Sequence, residues 1–333
     1  MIRLVQIKRG HVRRVALVEE PVLRLLDSCS SAYELAHMAI AAGMKLSELA
    51  RRRVRRDEVD YNAVYNGQSD WRLLPPIDHP DEPARCLISG TGLTHIGSAR
   101  NRQSMHSAAT EDVTDSMRMF RWGVEGGHPP AGTIGISPEW FYKGTGCALR
   151  AHGDPLDIPC YAEDGGEEAE IAGVYIIGPH GHPYRMGMAV GNEFSDHQFE
   201  KKNYLYLAGS KLRTCALGPE LVIDPPFESV PVTVSIKRNG NIHWSRTFRS
   251  GESEMCHSLQ NIEHHHFKYE AHRRRGDVHI HFFGTDCLSF SDNIRLRDGD
   301  VMQVDVEGYG RALQNPVRIA QSNPCPVNVT VLQ

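Results

Sequence analysis

From about residue 84 onward the chain is a succession of short apolar runs broken by Gly, Pro, Asn and Asp. This rhythm constrains the fold more than any other feature. The runs at 86–88, 172–177, 186–190, 221–223, 230–238, 242–246, 278–283, 301–306 and 327–332 are too short for stable helices and suit strands. Asn239-Gly240 separates two of them, and both residues tolerate the positive φ that a tight hairpin needs. Helical spacing is confined to 104–120, 196–203 and 253–272. Strands do not alternate with helices, so a β-rich α+β fold is expected rather than a βαβ repeat.

The first 80 residues read differently. Runs at 2–7 and 12–17 flank Arg9-Gly10 as a hairpin, and Leu35, Met38, Ala39, Ala42, Leu46 and Leu49 recur at helical spacing over 31–52. The basic run from Arg51 to Arg56 reads as a solvated helix end. The stiff stretch Pro75 to Pro83 marks a boundary between a small N-terminal domain, 1–80, and a catalytic domain, 81–333.

Charge and cysteine narrow the class. There are 37 Lys and Arg against 41 Asp and Glu, so the basic surplus that phosphate binding wants is missing and no nucleic acid partner is expected. No window approaches the roughly 18 apolar residues of a membrane span, and the opening stretch has no apolar signal core. The eight cysteines include no CxxC pair, which fits reduced thiols in a cytoplasm.

Three features carry chemistry. Glu168-Ala169-Glu170 leads into an apolar run. In an extended chain these two carboxylates share a face about 7 Å apart and suit a hard cation such as Mg²⁺ or Mn²⁺; an ordinary solvated acidic pair is the alternative. A second strand ends in Gly191-Asn192-Glu193, where Glu193 is either a third oxygen ligand or part of a helix cap. Lys211 lies in a Gly-bounded segment ending Gly218-Pro219. Beside a metal and an anionic substrate such a lysine can bind a carboxylate or act as a base. The histidines His257, His264, His265, His266, His279 and His281 lack the spacing of a zinc site and read as polar or pocket-lining positions.

In order, Trp140-Phe141-Tyr142-Lys143-Gly144, Glu168-Ala169-Glu170, Asn192-Glu193, Lys211 with Gly218-Pro219, Gly284-Thr285 and Asp298-Gly299-Asp300 resemble the fumarylacetoacetate hydrolase superfamily over roughly 86–320. The resemblance implies a distorted β-sandwich or β-roll, a homodimer, and one Mg²⁺ (or Mn²⁺, Ca²⁺) held by Glu168, Glu170 and Glu193. It implies Lys211 and Glu170 as catalytic groups, with Phe141, Lys143, His95, Ser98, Gly284 and Thr285 on the substrate side.

Hydrolases of that family carry a histidine near the first strand. Here Ser98 aligns with it, His95 is offset, and His106 lies further on. With Gly90-Thr91-Gly92-Leu93-Thr94-His95 and a long histidine-bearing C-terminal insertion, the chain looks like the sugar-acid branch, and that resemblance implies dehydration of a 2-keto-3-deoxypentonate to 2,5-dioxopentanoate. The alternatives are C–C hydrolysis of acylpyruvates or diketo sugar acids, with His95 or His106 as base, and keto-acid binding without turnover.

Overall fold

The computed structural model describes residues 1–106 and 114–332; the part of the expected 104–120 helix that falls on 107–113 lies outside them. Strands β1 (Ile2–Arg9), β2 (Val12–Glu19), β3 (Val22–Leu26), β4 (Val54–Asp60) and β5 (Arg72–Leu73) come from the N-terminal part. Next come β6 (Cys86–Gly92), β7 (Glu139–Thr145), β8 (Leu149–Arg150), β9 (Leu156–Ile158), β10 (Ala169–Ile177), β11 (Pro183–Asn192), β12 (Cys215–Leu217) and β13 (Leu221–Ile223). The series closes with β14 (Val230–Arg238), β15 (Asn241–Ser250), β16 (Val278–Phe282), β17 (Val301–Val306) and β18 (Leu313–Ile319). The helices are α1 (Ala32–Ala41), α2 (Leu46–Arg52), α3 (Tyr61–Tyr65), α4 (Ile96–His106), α5 (Asp115–Gly126), α6 (His197–Lys202), α7 (Leu207–Lys211) and α8 (Leu259–Phe267).

The strands form two sheets. The larger runs β4-β3-β2-β1-β13-β11-β10-β16-β6-β7, with β5, β8 and β12 at its side; the smaller runs β15-β14-β17-β18-β9. The large path is open and ends on β4 and β7. Ile171, Met188 and Val190 of the large sheet pack against Val232, Val234, Val304 and Leu313 of the small one. Each such side chain contributes about 1.5–3 kcal/mol on burial, so this apolar layer is what joins the sheets. All nine residues of β10 are buried, because neighbours flank it in the sheet and layers cover both its faces.

The Pro75–Pro83 stretch does separate β5 from β6, yet the sheet passes straight across it: Ile2, Arg3 and Leu4 of β1 pair with Ile223, Val222 and Leu221 of β13. Buried Glu220 fastens the two parts. It accepts from Tyr61 Oη at 2.9 Å and lies 3.1 Å from Arg3 Nη1.

The helix expected over 31–52 is two helices. Gly43 adopts φ 59°, a left-handed conformation that ends α1, while both helices bury one face of the same apolar series. Arg55 and Arg56, expected on a helix end, belong to β4. This edge strand is exposed, and charge there discourages pairing with foreign strands. The strand expected at 327–332 is irregular, with Val327, Val329 and Val331 exposed, because the alternating run finds no sheet edge among the described residues.

Candidate metal centre and cleft

The carboxylates meet where two neighbouring strands begin and end. Glu168 precedes β10, Glu170 lies in it, and Glu193 follows β11, its antiparallel partner. The Glu193 amide donates to the Glu168 carbonyl at 2.9 Å, and the Glu168 amide to Asn192 Oδ1 at 3.2 Å. Phe194, fully buried, turns the chain at φ 44°; a non-glycine residue held there marks a strained turn. The result is one oxygen from each of Glu168, Glu170 and Glu193, all within 4.8 Å of one another and buried.

Cations and donors brace the cluster. Lys211 Nζ, at the end of α7, donates to Glu168 Oε1 and Glu193 Oε2, each at 2.5 Å. Lys143 Nζ lies 2.6 Å from Glu193 Oε1 and donates to the Phe194 carbonyl. His197 Nε2 is 3.0 Å from Glu168 Oε1, and Ser195 Oγ donates to Glu193 Oε2 at 2.9 Å. The Gly284 amide donates to Glu170 Oε2 at 2.6 Å. Gly284 sits at φ 94°, and a Cβ there would fall 2.1 Å from Thr94 Oγ1, so only glycine brings that amide to the carboxylate.

The carboxyls titrate apart. Burial raises Glu168, but the charges of Lys211 and His197 outweigh it and hold that carboxyl well below its ordinary range. Glu170 goes well above, through burial and the neighbouring Glu168 and Glu193. Glu193 is raised too, by burial first and then Glu168, against the pull of Lys143 and Lys211. Burial works against the Lys211 ammonium, yet Glu168 and Glu193 keep it charged, whereas burial lowers Lys143. Glu170 is thus short of positive charge. An all-oxygen donor set with that deficit fits a hard divalent cation such as Mg²⁺.

Glu168 and Glu170 line a cleft, with Glu193 fully buried behind them; the cleft is also lined by Gly92, Leu93, Ser98, Asn101, Arg102, Met105, Phe141, His197, Glu200, Lys211, Gly284, Thr285 and Leu288. Among the expected substrate contacts, Ser98, Phe141, Gly284 and Thr285 line it. Lys143 and His95 do not. Lys143 is sealed behind Glu193 with no exposed side chain, and His95 is buried against Thr94 Oγ1 at 2.8 Å. Burial lowers His95 to about 4. The His106 side chain lies outside the described residues.

The clustered histidines are elsewhere. Phe282, Gly90 and Phe141 are in register across β16, β6 and β7 and share the sheet face from which Phe141 lines the cleft, while His281, Ser89 and Tyr142 face the opposite side. There His281 hydrogen-bonds Ser89 and Thr91, and His266 Nε2 meets His279 Nδ1 at 2.9 Å. The pocket-lining expectation for His279 and His281 is therefore corrected: they point away from the cleft. Among the described residues, the metal-competent group is the glutamate cluster.

Sequence reasoning missed His197, Arg102 and Glu200. The signal for the first and last was their three-residue spacing on one helix just after the Asn-Glu turn. Ser98, Asn101, Arg102 and Met105 likewise repeat at helical spacing on α4; nothing in the sequence aimed that face at the glutamates.

No family model matches the chain. A curated relative, the probable 2-keto-3-deoxyxylonate dehydratase of Haloferax volcanii, is 26% identical over 186 residues, which is 54% of this chain and 60% of the relative's length. Among solved structures, the apo form of 2-keto-3-deoxy-D-arabinonate dehydratase superposes with a TM-score of 0.71 at 20% identity, covering 96% of this chain and 100% of that one. The form complexed with magnesium and 2,5-dioxopentanoate gives 0.70 at 19% identity with the same coverage. The chain has the fold of these proteins, which is the β-rich fold implied by the superfamily resemblance.

Proposed function

We propose that the protein is a metal-dependent hydro-lyase that converts a 2-keto-3-deoxypentonate to 2,5-dioxopentanoate. The observation that carries this reading is the buried cluster of Glu168, Glu170 and Glu193 beside Lys211, in a cleft of the fold shared with the dehydratase that binds magnesium and 2,5-dioxopentanoate. The curated dehydratase relative supports the same class of substrate.

Glu168, Glu170 and Glu193 would hold the cation, which when bound draws electron density from a 2-keto acid and makes the neighbouring C3 hydrogen acidic. The protein's own groups do the rest. Phe141 stands beside the Lys211 ammonium, 4.8 Å from its ring centre, and keeps water from that side. Lys211 Nζ is assigned to the C3 proton. It is held as an ammonium by Glu168 and Glu193, so it must first pass one of its own protons to one of those carboxylates; the freed amine then takes the C3 proton. Ser98 and Thr285 border the same space and are assigned to the substrate's oxygens. The C3 proton and the C4 hydroxyl leave as water. Tautomerisation then carries a C5 hydrogen to C3 and the C5 hydroxyl hydrogen to C4, leaving C5 as an aldehyde.

C–C hydrolysis gains no support from the histidines whose side chains are described. His95 is buried away from the cleft, and His197, which lines it, is engaged with Glu168. Incubation with Mg²⁺ and each 2-keto-3-deoxypentonate stereoisomer tests the reading: the semialdehyde is expected with all carbons retained. Release of pyruvate would establish hydrolysis, and binding without turnover would establish a sensor.

A cytoplasmic homodimer belongs to the same proposal. All eight cysteines are free, and no helix among the described residues is long and apolar enough to cross a membrane. Trp140 and Tyr142 are exposed on β7, an end strand of the large sheet. Sedimentation analysis tests the dimer.

A further inference from the structure

Helices α4 and α6 contribute Arg102 and Glu200 to one end of the cleft, which adjoins the glutamate cluster through His197 and Glu168. Arg102 is its centre. The guanidinium lies 2.7 Å from Glu200 Oε1 through Nε and donates to Glu139 Oε2 at 3.3 Å through Nη1. All three side chains are more than nine-tenths buried. Tyr204 Oη donates to Glu139 Oε2 at 2.7 Å and Ser210 Oγ to Glu200 Oε2 at 3.3 Å. Two acids therefore face one cation. Glu139 Oε1, buried against Gly92 of the cleft wall, has no hydrogen-bond partner among the described residues. Two acids against one cation leave a surplus of negative charge at this end, presented to the cleft by Glu200, while Glu139 lies behind Gly92 and outside the lining.

Such an end suits a hydroxyl, which donates a hydrogen bond, and opposes a carboxylate, which brings only acceptors and like charge. Arg102 is the cation that would answer an anion, but Glu139 and Glu200 already hold it.

We infer that Glu200 is the specificity-determining residue for the substrate's distal end, admitting a neutral hydroxylated tail and turning away a second carboxylate. This rests on the dehydratase reading and names the substrate class within it: monocarboxylic 2-keto sugar acids rather than 2-oxo diacids. Glu200 acts by contact with the tail, and also by keeping Arg102 occupied.

Calorimetric titration at saturating Mg²⁺ tests it with two unreactive probes of equal chain length, 5-hydroxy-2-oxopentanoate and 2-oxoglutarate. They differ in a terminal hydroxyl against a terminal carboxylate. The wild-type protein is expected to bind the hydroxylated acid at least tenfold more tightly. In Glu200→Gln the surplus charge is removed and Arg102 is released, so 2-oxoglutarate should gain tenfold or more while the hydroxylated acid weakens. The wild-type comparison stands even if the variant does not fold. Equal wild-type affinities, or tighter binding of 2-oxoglutarate, would overturn the assignment of Glu200 while leaving the dehydratase reading intact. Failure of both probes to bind, with Mg²⁺ bound, would overturn the 2-keto-acid reading and the inference with it.

Discussion

Replacing Lys143 separates two roles that a sequence motif cannot. The resemblance puts this lysine on the substrate side, whereas in the structure its ammonium has no exposed surface and lies 2.6 Å from an equally buried Glu193 carboxylate. Lys143→Met keeps an unbranched side chain of similar length, so little cavity forms. What is lost is one of the two ammonium groups that compensate Glu193. Breaking a buried ion pair from one side costs about 3–5 kcal/mol. Lys211 Nζ and Ser195 Oγ remain on Glu193 Oε2, which puts the expectation at the low end, about 3 kcal/mol, or roughly a hundredfold in the folding equilibrium. Urea unfolding followed by tryptophan fluorescence should show a lower midpoint with an unchanged slope. Mg²⁺ affinity should survive and KM should stay within a few-fold, because Lys143 does not reach the cleft. An unchanged midpoint together with a strongly raised KM would refute this account and restore Lys143 as a substrate contact.

Other consequences are sharp enough to check. Glu170→Ala should abolish Mg²⁺ binding in calorimetry while leaving the unfolding midpoint near wild type, since the lost carboxyl is crowded by Glu168 and Glu193. Lys211→Ala should retain Mg²⁺ yet lower turnover by roughly 10²–10⁴-fold, the range for a removed acid–base group; an unchanged rate would remove Lys211 from the mechanism. Burial lowers His279 and His281 from 6.5 to about 3 and His257 to about 4. Between pH 6.5 and 4 the unfolded chain therefore binds protons that the folded one refuses. The stability contributed by these groups is complete above pH 6.5 and falls with acidification, so thermal unfolding should occur at lower temperature at pH 5 than at pH 7.5. A flat profile over that range would mean that the cluster is not buried.

The strands were legible where apolar residues run uninterrupted or flank a turn, as at Val230–Arg238 and Asn241–Ser250 around Asn239-Gly240. They were not where polar and functional residues occupy the strand. Glu139–Thr145 is an edge strand whose Trp140 and Tyr142 face outward while Phe141 and Lys143 face the site, and Leu313–Ile319 carries a proline. The three glutamates were legible because two share a strand entrance and the third closes the adjoining strand. Arg102, His197 and Glu200 were not. Their meaning comes from how α4 and α6 pack over the cleft, a tertiary fact that local spacing does not contain. The histidine tract misled for the same reason: strand parity puts His279 and His281 on one face, but only the sheet register reveals that it is the face away from the cleft.

The central claim is that Glu168, Glu170 and Glu193 together hold one divalent ion that receives a 2-keto acid. Crystals soaked in Mn²⁺ and diffracted near the manganese edge test it most directly. A single anomalous peak within bonding distance of oxygens from all three glutamates is expected, together with density for an added 2-keto acid against it. A cluster that stays free of the ion at saturating Mn²⁺, or a peak at the histidines behind the sheet instead, would contradict it.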